Sequence, residues 1–254
     1  MMRRLFLTLT LICGLASPAF AAWAEVQTFI ETSTGGTGTT HTLAYGSNVT
    51  AGNLLVCFTR MSDPGADFTS VTSDAGADSW TQVTDSDQVG NGFQTAMYYY
   101  VADESEALTV TTTYSAVIGG RALACAEYSG LDAAPFDTSN GNTQTNPGTG
   151  ADAVSTGATA STARDNSLAV ACTAMQTANI TEGSGFTEQI EDATWPSSQL
   201  QCQDKNITPT GAVTSTWTID SATADPTSVV AVFSEPAGGA PATAPRGLLL
   251  GVGP

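Results

Sequence analysis

The stretch Asn53-Leu-Leu-Val-Cys-Phe-Thr-Arg-Met61 is answered further along the chain by Ser167-Leu-Ala-Val-Ala-Cys-Thr-Ala-Met175. Each is a short apolar run, rich in β-formers and bounded by turn residues, which is the pattern of a core strand. The correspondence continues outward from these two runs. SWTQV (79–83) is matched by GFTEQ (185–189), FQTAMYYYVA (93–102) by SQLQCQDKNI (198–207), LTVTTTY (108–114) by VTSTWTI (213–219), and ALACAEY (122–128) by SVVAVF (228–233). Leu54 answers Leu168 at an offset of 114, while Trp80 answers Phe186 at 106 and Tyr128 answers Phe233 at 105. The shared order implies an internal duplication with one insertion in the first half, around residues 63–79.

No segment has helical periodicity. Thr, Ser, Gly and Ala abound and only 12% of residues are charged. The expected fold is therefore all-β, an antiparallel β-sandwich of jelly-roll type in which two related halves, about 41–136 and 164–235, bury their apolar faces on each other. The Gly- and Thr-rich stretch 137–163 reads as the connection between them.

The chain opens on MMRRLFLTLTLICGLASPAFA. A basic pair, a short apolar run and Ala19-Phe-Ala21 form the three parts of a secretory signal peptide over residues 1–21. The sandwich domain is then expected over 22–236. Without the signal peptide, 5 basic residues stand against 24 acids. Such a surface opposes nucleic acid and anionic lipid, having no basic stripe to meet their phosphates. Export also gives weight to the four remaining cysteines, which permit three pairings. Strand parity sets Cys172 with Leu168 and Val170, Cys202 with Leu200, Cys57 with Leu55 and Cys125 with Leu123, which favours Cys172–Cys202 and Cys57–Cys125.

Residues AGNLLV (51–56), VTSDAGADSWT (71–81), YYYVAD (98–103), LTVTTTY (108–114), ACAEYSGL (124–131) and PFDTS (135–139) follow one another in the chain. In this order they resemble a poorly characterised module of bacterial exported and phage-encoded proteins. The resemblance covers about residues 41–235. It implies a concanavalin-like or jelly-roll sandwich and carries over no catalytic residues. After Glu235, residues 237–254 read as a flexible Pro/Gly/Ala linker and a short apolar tail, GLLLGVGP, too brief to span a bilayer. That ending resembles the tails of phage and metagenomic structural proteins, and makes docking on a neighbouring copy a candidate role.

The remaining chemistry is sparse. His41 is the only histidine, which leaves no second one for a triad or a multi-histidine zinc site. Glu188, Glu191 and Asp192 are the nearest approach to a glycosidase carboxylate pair, with Glu188 and Asp192 sharing a strand face around Ile190. Glu127, flanked by apolar residues, reads as a buried carboxylate needing Arg60, Arg121 or a tyrosine hydroxyl as partner. Asp63, Asp67, Asp74 and Asp78 crowd the first-half insertion as candidate Ca2+ ligands, although no EF-hand-type loop is present. Trp195, in a loop, and Tyr98 and Tyr100, on the face opposite Met97, Tyr99 and Val101, are candidates for stacking on a glycan. Asn48, Asn179 and Asn206 begin sequons, which matter only for a eukaryotic source. The leading expectation is an exported, non-catalytic structural or adhesive binding module, with a subunit of an extracellular or virion assembly as its close variant; the alternative is a lectin-like domain or a polysaccharide-acting enzyme.

Overall fold

The computed structural model describes residues 22–33, 37–74, 80–84, 86–90, 92–175, 179–192, 199–221 and 225–237. Residues 1–21, where a signal peptide is expected, the tail beyond Ala237, Trp195 and Asp78 lie outside them. The first half contains β1 (Ala24–Ser33), β2 (Gly38–Ala44), β3 (Leu54–Met61), β4 (Phe68–Ser73), β5 (Thr81–Gln82), β6 (Gln88–Val89), β7 (Gln94–Val101), β8 (Thr109–Ile118) and β9 (Arg121–Ser129). The second contains β10 (Phe136–Thr143), β11 (Gly150–Ser161), β12 (Ser167–Met175), β13 (Ile180–Glu182), β14 (Thr187–Asp192), β15 (Gln199–Ile207), β16 (Ala212–Ile219) and β17 (Thr227–Phe233). All pairings are antiparallel.

The duplication is visible in the strand order. The first half forms a sheet β1-β9-β3-β7-β5, with β6 also on β7, and a small sheet β2-β8-β4. The second forms β10-β17-β12-β15-β14 and a small sheet β11-β16-β13. Strand for strand these are the same arrangement. The repeat therefore begins at β1 and β10, earlier than the expected bounds of 41 and 164. Residues 137–163 are not a connector but mostly two strands. They belong to different sheets, and amide side chains join them: Asn140, Asn142 and Gln144 donate to the carbonyls of Thr156, Ser155 and Ala153, contacts that give no apolar pattern. The expected single insertion is two steps. The offset falls from 114 at Leu54/Leu168 to 112 at Phe68/Ile180, then to 106 at Thr81/Thr187.

The two large sheets pack face to face, and a small sheet covers the outer face of each. Val56, Phe58, Met97, Ala124, Ala126 and Tyr128 point from the first half into a core shared with Leu168, Val170, Cys172, Leu200, Cys202 and Ile190. On the other side of the first large sheet, Leu55, Cys57, Ala96, Tyr98, Leu123 and Cys125 pack with Leu43, Val71, Leu108 and Val110 of the small sheet. In the second half Trp217 and Ile219 of β16 do the equivalent work, with Val154. The central strands are thus covered on both faces, and every residue of β3 and β12 is buried. That is why these runs read as continuous apolar stretches instead of alternating ones.

The cysteines join as expected. Cys57 lies opposite Cys125 and Cys172 opposite Cys202, and both pairs are within disulfide distance, at 2.00 and 2.12 Å. The two bridges are not repeats of one another. Register places Ala171 and Val230 where the first half has Cys57 and Cys125, and Phe58 and Met97 where the second has Cys172 and Cys202. Cys57–Cys125 faces the outer layer, and Cys172–Cys202 faces the central core.

Candidate functional site

β14 is the outermost strand of its sheet, as is β1 of the facing sheet. Between them runs a groove of about 200 Å3 lined by Thr28, Phe29, Ile30, Gln189, Ile190 and Glu191. Of the expected acids only Glu191 lines it. A bulge between Glu188 and Ile190 resets the alternation. Ile190 and Asp192 therefore point inward, while Glu188 and Glu191 are exposed. Glu188 accepts from Gln201 Nε2 at 2.7 Å, on the side of β15 away from the central core. This corrects the expectation that Glu188 and Asp192 share a face. The carboxyl of Glu191 is raised above the usual range by partial burial and by the neighbouring charges of Glu188, Glu182 and Asp192.

Asp192 has a structural role. It is buried, and its charge partly offsets the burial that pulls the Arg60 guanidinium down to about 10. Arg60 belongs to β3 and Asp192 to β14, so this attraction crosses the central interface. A second polar link crosses it too. Tyr128 of β9 bonds to Asp204 of β15, whose carboxyl burial pushes up to about 6 against the opposing effect of a Gln189 hydrogen bond. Asp204 Oδ2 is buried without a hydrogen-bond partner.

Glu127 is fully buried, as its surroundings suggest, but its partners are neither Arg60, Arg121 nor a tyrosine. It accepts from the Thr50 backbone N–H at 2.9 Å, from Asn53 Nδ2 at 2.6 Å and from the Gln27 amide. Gln27 in turn holds Ser47. The carboxylate thus fastens the 45–53 loop to β1 and β9. The repeat-equivalent position, Val232, is apolar. His41 is buried, with Nε2 donating to the Glu31 carbonyl at 2.9 Å, and burial lowers its pKa. It holds β1 to β2.

The aromatic candidates do not form an outer platform. Tyr98 is 6% exposed and packs beneath the small sheet, its hydroxyl pushed up to about 12 by burial. Tyr100 is half-buried, donates to Asp103 at 2.7 Å and lies 5.6 Å from the Trp80 ring. The outward assignment fails because the small sheet packs on this face of the large one. Tyr99 stacks on Phe136 at 5.5 Å in the central core, as its partnership with Met97 suggests.

Among the described residues, the candidate Ca2+ ligands Asp63, Asp67 and Asp74 belong to no three-acid group. Asp63 caps the Gly65 N–H, the Asp67 N–H is taken by Ser115, and Asp74 accepts from the Thr109 N–H, which lowers its pKa. Among the described residues, the acids whose oxygens lie within 4.8 Å of one another are instead Asp103, Glu104 and Glu106, around an exposed turn. Another groove, of about 240 Å3, runs beside the β15–β16 connection, from Lys205 to Thr214, and contains no carboxylate.

Start and end of the domain are fastened together. The Trp23 N–H donates to Glu235 Oε1 at 3.0 Å, and Arg164 reaches both the Glu235 carbonyl and Asp132 at 2.8 Å. Comparison with known proteins found no matching family model, no matching curated protein and no matching solved structure.

Proposed function

We propose that this chain is an exported, non-catalytic structural or binding module that works as a subunit of an extracellular assembly. The observation that carries this reading is the employment of its chemistry-bearing side chains. Glu127, His41, Glu188, Asp192 and Asp204 all serve contacts within the fold, and among the described residues neither the β1/β14 groove nor the one beside the β15–β16 connection brings two carboxylates together. A glycosidase needs such a pair. The two half-sandwiches, each with a cysteine pair, suit an oxidising compartment outside the cytoplasm. The module-like motif order and the signal-peptide pattern agree with that setting. Termini fastened together at Trp23 and Glu235 suit a domain that presents its C-terminal tail to a neighbour.

The test is the native mass of the chain beginning at Ala22, measured by light scattering after size exclusion, with and without residues 238–254. Association that depends on the tail supports the reading. A monomer in both forms, with unchanged circular dichroism, overturns it.

A further inference from the structure

Self-association of this chain has an electrostatic problem to solve. From Ala22 onward it carries 24 acids and 5 basic residues, so two copies repel. Four of the basic residues are occupied in the fold. Arg60 and Arg121 are buried, Arg164 pairs with Asp132, and Lys205 lies over the Phe186 ring at 5.2 Å. The fifth, Arg246, belongs to the tail, directly before Gly-Leu-Leu-Leu-Gly-Val. The tail therefore combines a cation with an apolar run.

The β1/β14 groove has the complementary character. Ile30 and Ile190 are among its lining residues, Glu191 is the carboxylate in its lining, and exposed Glu31 belongs to the same edge strand as Ile30. Partial burial raises the Glu191 carboxyl, and the like charges of Glu188, Glu182 and Asp192 add to that. A cation here relieves that repulsion. At about 200 Å3 the groove is smaller than the ~300–1,000 Å3 typical of small-molecule sites, and of a size for a few peptide side chains. Seventeen residues follow Ala237, enough to extend up to ~55 Å at ~3.3 Å per residue. Eight of them, Gly238–Pro245, precede Arg246 as a spacer.

We propose that the Arg246–Val252 segment of one copy docks in the β1/β14 groove of a second copy, with Arg246 against the Glu191 rim and its leucines over Ile30 and Ile190. This rests on the assembly reading above and names the acceptor site within it.

The experiment is a charge swap in the full chain beginning at Ala22, read as the self-association constant by sedimentation at low salt. Arg246→Glu and Glu191→Lys are each expected to weaken association about tenfold, since each replaces an attraction by a repulsion. The double variant is expected to recover to within about threefold of wild type, on the same reasoning. Glu191 is exposed, and circular dichroism checks the fold of each variant. If wild type associates but Glu191→Lys leaves the constant unchanged, or the double variant shows no recovery, the groove is not the acceptor and the assembly reading survives without it. If wild type is monomeric throughout, the groove proposal and the assembly reading fall together.

Discussion

Replacing Asp204 by Asn tests the central interface most directly. The residue is 3% exposed, Tyr128 and Gln189 bond to it, and its carboxyl is raised from 3.8 to about 6. An acid with a raised folded pKa binds its proton more tightly in the native state than in the unfolded chain. Its contribution to stability is therefore present below about pH 4 and is lost as pH rises through about 6. A shift of about two units at 1.36 kcal/mol each corresponds to roughly 3 kcal/mol in full, of which about 2 kcal/mol falls between pH 4 and pH 7.5. Asn cannot ionise, so Asp204→Asn removes this slope while retaining an acceptor for the Tyr128 hydroxyl. The assay is urea unfolding of wild type and variant at both pH values. The variant's stability relative to wild type is expected to rise by about 2 kcal/mol from the acid to the neutral condition. The comparison cancels the other titrating groups and any pH-independent cost of the substitution. A relative change below about 0.5 kcal/mol, or one of opposite sign, would refute the assignment of a buried, ionisable link between the halves.

Glu127→Val places in the first half the residue type found at Val232 in the second, yet it is expected to destabilise by about 3–5 kcal/mol, because Asn53, the Thr50 N–H and Gln27 lose their buried acceptor; chemical denaturation measures it, and a cost under 1 kcal/mol would show the loop does not depend on the carboxylate. Gly183→Ala drives a Cβ into the Thr216 carbonyl oxygen, which must move, so a loss of about 1–3 kcal/mol and a lowered Tm are expected. An unchanged Tm would mean the β13–β14 connection shifts freely. Non-reducing peptide mapping is expected to find Cys57 linked to Cys125 and Cys172 to Cys202, and four free thiols would contradict it. Loop-closure entropy gives each bridge about 4 kcal/mol at most, slightly more for the pair 68 residues apart than for the pair 30 apart, as equilibrium unfolding of the two Cys→Ala pairs would show.

The duplication and the cysteine pairing were readable because both depend on strand parity and order. Leu54 and Leu168 occupy equivalent places, as do Trp217 and Thr112, and the offsets fall where the loops differ. Other features escaped for identifiable reasons. Placing Tyr98 and Tyr100 towards solvent assumes one buried face per sheet. The unbroken apolar run at Leu54–Met61 already argued against that, since a half-exposed strand alternates. β10 and β11 lack an apolar pattern because Asn140 and Asn142 make bonds that leave no trace in hydropathy. The bulge in β14 moved Glu188 to the opposite face from Asp192, and a one-residue shift of this kind reverses every parity argument beyond it. Glu127 was recognisable as buried, but its partners come from residues 27, 50 and 53, whose convergence requires the fold.

The placement of the two disulfides in different layers makes them reporters of separate events. Cys57–Cys125 becomes accessible to a reductant when the small sheet β2-β8-β4 lifts, whereas Cys172–Cys202 stays sealed until the halves part. The order in which thiols appear under mild reduction would therefore record which layer of the stack opens first. A protein that sheds its outer layer while keeping its halves joined would yield one thiol pair well before the other.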